Sequence, residues 1–398
     1  MRLLGNAFWF VIICNFVVAG QTMRFQPGRR APAINFETAN NLVIVKAALG
    51  RAAEGWFIFD TGAESTVVDV KYAAAAGLTA SGKTTGTGSS GTAQAGVIKK
   101  VTLKVGNVEA GDLTVYSLPL GPISAGLGFQ IAGIIGNDVI SKTVADIDYL
   151  RQQLKLLRPE NFKPLPGAEQ LPLRTEGRMP FIDVPIDIGQ TTVKAKLEID
   201  TGSTGAVLFN APFVRKYALT RTLGRTMASR TAGVGGSGAS TVVRLGRFRL
   251  GKTVLPAPLA ILYTGTKGDN ASSSYDGLIG GAIFRRFRMT IDITGKRLFM
   301  QPSSTVSEPF ETDMSGIDLL AAGDGLNSIV VDEVKPASVA AKAGVRGGEI
   351  VRGVDGRPAS ELGLQQVRKM LQTTGDHVVE LARGKRVFTV RLKLARVI

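Results

Sequence analysis

The sequence predicts an all-β protein of two similar lobes, followed by a small α+β domain. Two strand-like apolar runs each end in an Asp-Thr-Gly turn, at Asp60 and at Asp200. At similar separations downstream, each turn is followed by two aliphatic residues and a glycine, ending at Gly136 and Gly280. The 48 glycines and an aromatic content of 7% are typical of a turn-rich β protein.

The two strand-rich halves repeat further features in the same order. Between its Asp-Thr-Gly turn and its later glycine, each half has a glycine-rich stretch, at 82–96 and 233–238. Each half then returns through a strand that contains an acid, at 145–148 and 290–293. The shared order favours an internal duplication. The alternative is two generic β units in which glycine turns recur by chance.

Proline- and glycine-rich stretches set the predicted domain boundaries. These boundaries give a signal peptide at 1–20, linkers at 21–36, 163–178 and 304–312, two lobes at 37–162 and 179–303, and a C-terminal domain at 313–398.

Composition places the chain among globular proteins with an excess of positive charge. It has 398 residues, 44% of them hydrophobic, and a net charge of +16. Such a charge can favour anionic partners, and a basic, anion-binding surface protein is therefore one alternative. The basic residues are scattered, however, with no Arg/Lys block and no basic helix with interleaved aromatics. We therefore expect no nucleic-acid partner.

The N-terminus carries the pattern of a secretory signal. An apolar segment runs from Leu3 to Ala19 after Arg2, and it contains Cys14, the only cysteine. We expect secretion across the inner membrane, to the periplasm or cell envelope. The alternative is an uncleaved N-terminal membrane anchor, and only in that case do we expect a membrane partner.

Asp60 and Asp200 are the candidate catalytic residues. Two carboxyl groups held face to face cannot both ionise cheaply, so they share a proton and supply an acid and a base at one pH. Such a pair can activate water. The alternative is that both aspartates are turn residues bonded to local amides.

These motifs resemble those of an aspartic protease built from two retropepsin-like lobes in one polypeptide. Residues 60–64, Asp-Thr-Gly-Ala-Glu, resemble the retroviral signature, and residues 200–204 resemble the pepsin-type signature. Residues 277–287 resemble the pepsin segment that closes the C-terminal lobe. The resemblance implies the two-lobed acid-protease fold, a double retropepsin-like β-barrel, and hydrolysis of peptide bonds by water activated between the aspartates.

The residues that follow each aspartate are expected to support the pair. The hydroxyls of Thr61 and Thr201 can bind across to the opposite loop, and Gly62 and Gly202 keep each turn tight. We expect no metal and no cofactor, since His377 is the only histidine and the preferred zinc ligands are lacking.

The glycine-rich stretches are expected to form two flexible flaps over the cleft. They match the spacing G-x-G-x-x-G, but a dinucleotide site needs a helix at the last glycine, and strands are predicted there instead. A lid of this kind opens for a peptide and then closes over it. The alternative is plain disordered loops. The predicted flap residues are Gly86, Gly88, Gly91, Gly233, Gly235 and Gly238.

The C-terminal domain resembles a PDZ domain of the type attached to bacterial envelope proteases. The segment that carries the resemblance is 334–356. The resemblance implies binding of a peptide C-terminus or an extended segment by strand addition, with a terminal carboxylate held by backbone N–H groups. The alternative is a purely structural module. By position, the peptide-binding residues are Gly316, Ile317, Asp318 and Leu319.

The sequence therefore predicts an aspartic endopeptidase that acts on extended polypeptides, with apolar side chains expected near the cut. Its PDZ module would bind a peptide ligand and either recruit substrate or regulate access. The resemblance allows an acidic pH optimum, although retroviral-like relatives work closer to neutral pH. The alternative is a catalytically silent, peptide-binding envelope scaffold.

Overall fold

The computed structural model describes residues 8–9, 21–26 and 31–398. The predicted signal peptide lies outside the described residues, apart from a two-residue strand at Phe8–Trp9. Strands make up 50% and helices 14% of the chain, so the predicted all-β fold is confirmed. Within the described ranges, every helix is too short or too polar to cross a membrane.

Strands and helices are numbered in chain order. The first lobe and its N-terminal approach contain β1 Phe8–Trp9, β2 Thr22–Phe25, β3 Ile34–Ala39, β4 Leu42–Leu49, β5 Gly55–Phe59, β6 Val67–Asp69, β7 Gly82–Gly88, β8 Gly91–Val105, β9 Val108–Leu118, β10 Ile131–Ile135, β11 Val144–Asp148 and β12 Gln153–Leu157. The second lobe and its approach contain β13 Glu169–Pro172, β14 Arg174–Glu176, β15 Met179–Ile188, β16 Thr191–Ile199, β17 Val207–Phe209, β18 Thr226–Gly233, β19 Gly236–Arg244, β20 Arg247–Leu250, β21 Thr253–Pro256, β22 Leu259–Tyr263, β23 Gly277–Ile279, β24 Phe287–Asp292 and β25 Arg297–Pro302.

The remaining elements are the strands of the C-terminal region and the helices of all regions. The strands are β26 Ile317–Ala322, β27 Ser328–Val334, β28 Ile350–Val354, β29 Arg357–Pro358, β30 Gly375–Arg383 and β31 Arg386–Leu394. The α-helices are α1 Val70–Ala75, α2 Gly121–Leu127, α3 Asn137–Ile140, α4 Ala211–Lys216, α5 Leu219–Thr222, α6 Gly281–Phe284, α7 Val339–Lys342 and α8 Ala359–Met370. Two 3₁₀ turns lie at Pro159–Asn161 and Asp269–Ala271.

The described residues form two compact units. One unit joins Gly121–Gln130 to Phe310–Ile398, and the other contains both strand-rich lobes. The lobes were predicted as separate segments of chain, and the structure packs them into one body. The short segment 121–130, which was predicted to belong to the first lobe, packs with the C-terminal domain instead.

Each lobe is built on the same strand arrangement. In the first lobe β10 lies between β5, which is parallel to it, and β6, which is antiparallel. In the second lobe β23 lies in the same way between the parallel β16 and the antiparallel β17. Because β5 and β16 are the strands that end at the two Asp-Thr-Gly turns, the duplication places both turns at equivalent corners of the fold.

The two lobes share a sheet through their acid-containing strands. Strand β11 pairs antiparallel with β24, with Ala145 opposite Ile291. Across this seam the guanidinium of Arg288 donates to both carboxylate oxygens of Asp146, at 3.1 and 2.7 Å. A two-pronged, charge-assisted contact of this kind fixes the register of the lobes relative to each other.

Two of the predicted linkers contain strands. In 21–36, β2 pairs with β9 and β3 begins at Ile34. In 163–178, β13 pairs with β25 and β14 pairs with β15. Their prolines and glycines are compatible with short strands at sheet edges, which composition alone does not distinguish from a linker. The third predicted linker, 304–312, has neither helix nor strand.

The C-terminal unit is a small α+β domain, as predicted. Its sheet has the order β26-β27-β28-β30-β31, with β29 attached to β28, so β26 is an edge strand. Helix α8 bends at Gly363 and packs its apolar residues onto the sheet through Leu364 and Val367.

Candidate functional site

Each of the two aspartates follows a strand that pairs with a parallel neighbour, β5 with β10 and β16 with β23. At the end of β5, the N–H of Asp60 donates to the carbonyl of Ile135 at 3.0 Å. At the end of β16, the N–H of Asp200 donates to the carbonyl of Ile279 at the same distance. Both aspartates are fully buried. The structure therefore brings together the two carboxylates that the sequence nominated.

Tight glycine turns hold each carboxyl group. The N–H of Gly62 donates to Oδ1 of Asp60 at 2.8 Å, and the N–H of Gly202 donates to Oδ1 of Asp200 at 2.8 Å. A Cβ atom on Gly62 would lie 2.5 Å from Cγ of Asp200, and one on Gly202 would overlap Asp60. Glycine is required because each turn presses against the aspartate of the other lobe.

The threonines lock the two turns to each other. The N–H of Thr61 donates to Oγ1 of Thr201, and the N–H of Thr201 donates to Oγ1 of Thr61, both at 3.0 Å. Each hydroxyl then donates across the interface, Thr61 to the carbonyl of Ile199 at 2.6 Å and Thr201 to that of Phe59 at 2.7 Å. Every polar group of this exchange is buried and paired, so the carboxyl groups have little freedom to separate.

In each lobe the residue after the repeated glycine, Gly136 or Gly280, supports the Asp-Thr-Gly turn. The N–H of Asn137 donates to the carbonyl of Ala63 at 2.8 Å, and that of Gly281 donates to the carbonyl of Ser203 at 2.7 Å. In the first lobe the amide of Asn137 also donates to the carbonyl of Thr61 at 2.6 Å. The two halves of the site thus follow the same pseudo-twofold plan.

The electrostatics of the site favour retention of protons. Burial raises the pKa of Asp60 to about 7, although the Gly62 N–H opposes this shift. Burial raises the pKa of Asp200 well above its usual range, and negative charge on Asp60 and Glu198 adds to the effect. Oδ2 of each aspartate accepts no hydrogen bond from an N–H or a hydroxyl group of the described residues, and the two carboxyl groups interact with each other. These two oxygens are therefore available to a substrate or a water molecule.

Sequence reasoning missed three further polar side chains beside the pair. Glu198 is 1% exposed, and Asp269 and Tyr275 are each 7% exposed. Both carboxylate oxygens of Glu198, Oδ2 of Asp269 and the hydroxyl of Tyr275 lack hydrogen-bond partners among the described residues. The sequence contained one indication of Glu198. It lies two residues before Asp200, and because side chains alternate along a strand, both lie on one face.

The predicted flaps are two hairpins whose tips meet. Flap 1 is β7 and β8 joined through Ser89–Ser90, and flap 2 is β18 and β19 joined through Val234–Gly235. A Cβ atom on Gly91 would overlap the carbonyl of Gly235, and the hydroxyl of Ser90 donates to the carbonyl of Thr231 at 3.4 Å. The chain after flap 2 also holds flap 1, because the N–H of Asn270 donates to the carbonyl of Ser89 at 3.2 Å.

The six predicted flap glycines divide between these hairpins. The tips hold Gly88, Gly91, Gly233 and Gly235, whereas Gly86 lies in β7 and Gly238 lies in β19, where it packs against Tyr263. Four of the six therefore lie where the hairpins meet. The segments directly after the two tips are strands, β8 and β19.

In the C-terminal domain, the predicted carboxylate-binding loop is already filled by a carboxylate of the chain. The N–H groups of Ser315 and Gly316 donate to the side chain of Asp313 at 3.2 and 2.6 Å, and the N–H of Ile317 donates to the hydroxyl of Ser315 at 3.1 Å. These donors are not available to a peptide C-terminus. Asp318 and Leu319 follow in β26, the edge strand.

The groove between β26 and α8 is also occupied within the same compact unit. The carbonyl of Gly126 accepts from Arg368 at 2.6 Å, and that of Leu127 accepts from Gln365 at 2.9 Å. Gly128 lies against Leu364 and Ala321, from the two walls of the groove. The other arm of the Arg368 guanidinium donates to the carbonyl of Leu319 at 2.6 Å. We call residues 121–130 the groove segment.

Comparisons with known proteins agree with both assignments. Residues 45–139 match the family model described as aspartyl protease, and residues 330–382 match the PDZ domain model. The chain therefore contains an aspartyl protease domain and a PDZ domain. The first match includes Asp60 and stops before the second lobe. The assignment of Asp200 as the partner of Asp60 therefore rests on the internal symmetry described above. No curated protein matches the chain.

Proposed function

We propose that this protein is an aspartic endopeptidase that hydrolyses peptide bonds with water activated between Asp60 and Asp200. The proposal rests on the pairing of two buried carboxyl groups whose turns are interlocked by Thr61 and Thr201. Rigid placement of reacting groups accounts for much of the rate enhancement of an enzyme, and this exchange of hydrogen bonds supplies it.

In the proposed mechanism the carboxyl pair carries one proton. The ionised member takes a proton from the attacking water, and the protonated member donates to the carbonyl oxygen of the substrate. The C–O bond that forms gives a neutral tetrahedral diol. As the C–N bond breaks, one hydroxyl of the diol gives its proton to the ionised carboxylate and the protonated carboxyl gives its proton to the leaving amine, so the pair again holds one proton. The two carboxyl groups titrate as a coupled pair, so the role of general base belongs to the dyad and is not assigned to one of the two residues.

The substrate is proposed to be an extended polypeptide laid between the dyad and the flaps. The tips of the two hairpins meet through glycine backbone, and a peptide can enter only when they part. Closure afterwards excludes water and strengthens the electrostatic interactions in the site.

For the PDZ domain we propose binding of an internal peptide segment rather than a chain terminus. Asp313 fills the N–H groups that would hold a terminal carboxylate, and the groove segment covers the edge strand. A peptide ligand would have to displace the groove segment, whose ends continue directly into β9 and β10 of the first lobe. Peptide binding can thereby regulate the protease domain through the chain itself.

We also propose that the protein works in the periplasm or cell envelope after export, on the strength of the N-terminal apolar segment. Retention of that segment would instead anchor the protein in the membrane. Fractionation of expressing cells, together with N-terminal sequencing of the mature protein, distinguishes the two outcomes.

Cleavage by purified protein tests the catalytic proposal. An unfolded protein and a peptide library are incubated with the wild type, Asp60→Asn and Asp200→Asn between pH 3 and pH 9. We expect each substitution to lower the rate by at least about 10²-fold, because each removes a proton-transfer group. Asp187→Asn, which changes an exposed acid of the second lobe, serves as the control. Peptide binding without cleavage at any pH would favour the catalytically silent scaffold.

A further inference from the structure

Glu198 is a buried acid whose charge no described residue neutralises. Its side chain is 1% exposed, and neither carboxylate oxygen has a hydrogen-bond partner among the described protein groups. Burying a polar group without a partner is costly, so folded proteins rarely keep one without a reason. In β16 it shares a face with Asp200, which lies two residues later.

Unpartnered polar atoms continue from Glu198 toward flap 1. Oδ2 of Asp269, the side-chain amide of Asn270 and the hydroxyl of Tyr275 are all buried without partners among the described residues. Asn270 is held directly under the tip of flap 1 by its N–H contact with Ser89. At one end of this series Asn270 contacts the tip of flap 1, and at the other end Glu198 lies in β16.

The walls of this region are apolar and aromatic. Phe181 lies opposite Glu198 in the β15–β16 ladder, and directly opposed residues share a face of the sheet. The ring of Phe181 packs on Tyr275 with centroids 5.5 Å apart, and Met179 completes the cluster. An aliphatic stem with a positive end fits such a pocket, because the rings cover the stem and the carboxylate receives the charge.

Among the residues that the structure describes, no cationic side chain bonds to the carboxylate of Glu198. Lys196 lies two residues before Glu198 on the same face, but its ammonium is bound to Glu176 and to the carbonyl of Ser274 at 3.0 Å. Among residues 21–26 and 31–398, no cluster of three acidic, histidine or cysteine side chains has the arrangement of a metal site. Both carboxylate oxygens of Glu198 are therefore open to a cationic group brought by a ligand.

We propose that Glu198, with Asp269 and Tyr275, forms a subsite for a lysine or arginine side chain of the substrate, next to the scissile bond. This inference rests on the proposed endopeptidase function and defines its substrate class. The equivalent position of the first lobe is Ile58, two residues before Asp60 and fully buried. The two lobes therefore differ at this point, with a cationic residue selected on the second-lobe side and an apolar residue on the first-lobe side.

The pKa of Glu198 responds to the charges around it. Burial, together with negative charge on Asp60 and Asp269, raises the pKa of Glu198 well above its usual range. Entry of a cation favours the ionised form, so an uncharged side chain of the same length gains less from the pocket.

Binding to a catalytically blocked protein tests the subsite without requiring turnover. The full-length Asp60→Asn protein is titrated with fluorescent, C-amidated octapeptides whose N-termini carry the label, so that no free α-amine is present. One lysine is moved through the eight positions of a neutral, apolar background, and each peptide is compared with its norleucine counterpart. We expect lysine to bind about tenfold tighter than norleucine at one position, and at no other.

The same comparison in two further variants identifies the residue responsible. In Asp60→Asn/Glu198→Gln the preference for lysine should fall to about twofold or less, whereas Asp60→Asn/Asp187→Asn should retain it. Asp269→Asn provides a second substitution within the pocket, in case the Glu198 variant does not fold. Equal binding of lysine and norleucine at every position, or a preference that survives in Glu198→Gln, overturns the inference.

Cleavage of the same peptides by the wild type separates this inference from the proposed function. If the wild type cleaves the lysine and norleucine peptides at equal rates, the endopeptidase function is supported and the subsite is overturned. Lysine-dependent binding without any cleavage overturns the endopeptidase and keeps the subsite. Failure of every peptide to bind or be cleaved overturns both.

Discussion

Thr61 and Thr201, which lie in different lobes, each donate a backbone N–H to the hydroxyl of the other at 3.0 Å. Neither bond can form unless both Asp-Thr-Gly turns are in place. The exchange therefore makes assembly of the dyad a property of the folded two-lobed unit. It also means that damage to one turn is transmitted to the carboxyl group of the other.

Substitution of Thr61 by valine should destabilise the two-lobed unit. Valine keeps the shape of the side chain but removes the hydroxyl that accepts from the Thr201 N–H and donates to Ile199. Leaving two buried groups unpaired costs about 1–3 kcal/mol each. Urea denaturation measures the loss. Thr61→Ser retains the hydroxyl and should lose less than half as much, so an equal loss in both variants would point to packing instead.

The substitution Gly202→Ala adds only one methyl group, but it should disturb the position of the Asp60 carboxyl group. A Cβ atom there would lie 2.2 Å from Cγ of Asp60, so the carboxyl group would have to shift. Overpacking of this kind costs about 1–3 kcal/mol, and here the displaced group is the proposed catalytic acid. We expect a large loss of peptidase activity with a smaller loss of stability. Gly246→Ala, where a new Cβ atom has open space, is the matched control.

The sequence allowed prediction of the dyad and its supports because they are local motifs repeated by duplication. Two Asp-Thr-Gly turns at equivalent places in a repeat leave few ways to assemble, and the hydroxyls of Thr61 and Thr201 can reach only across the interface. Glu198 was missed, since one acid in an apolar strand does not reveal whether a partner lies across the fold.

The C-terminal groove was beyond sequence reasoning for a different reason. The groove segment is separated from Gln365 and Arg368 by more than 200 residues, and a local sequence pattern does not predict a contact over that separation. Likewise, Asp313 is an ordinary polar residue in the sequence, and only the fold shows its carboxylate bound to the N–H of Gly316. The strands within two predicted linkers were hidden by their proline and glycine content.

Stability of the two-lobed unit should fall as the pH rises from about 4 to about 7. The usual pKa of an aspartate is 3.8, and burial raises that of Asp60 to about 7 in the folded protein. Between these values the folded state holds a proton that the unfolded chain releases, so raising the pH favours unfolding. Urea denaturation at pH 4.5, 6 and 7.5 measures the slope. Asp200→Asn removes one buried acid and should flatten it, whereas Asp187→Asn should leave it unchanged.

Peptidase activity should be greatest near neutral pH rather than in strong acid. Burial raises the pKa of both dyad carboxyl groups, that of Asp60 to about 7, so in strong acid both groups hold protons and the base is missing. The singly protonated pair forms as the first proton leaves, and kcat/KM should rise between about pH 5 and pH 7. A profile of kcat/KM from pH 3 to pH 9 tests this, and a maximum below pH 5 would contradict it.

Weakening the groove segment should open the PDZ groove. Gly128 has a φ of +71°, and a Cβ atom there would lie 3.3 Å from Cβ of Leu364. Valine at this position is strained by its backbone angle and crowded by its neighbour, at a cost of about 1–3 kcal/mol. In Gly128→Val we expect faster deuterium exchange across residues 121–130 and tighter binding of a synthetic peptide with the sequence of 121–130. Gly121→Ala, where the added atom meets open space, should behave as the wild type does. Unchanged exchange in Gly128→Val would mean that Gln365 and Arg368 hold the segment in place without Gly128, and that ligands reach the domain elsewhere.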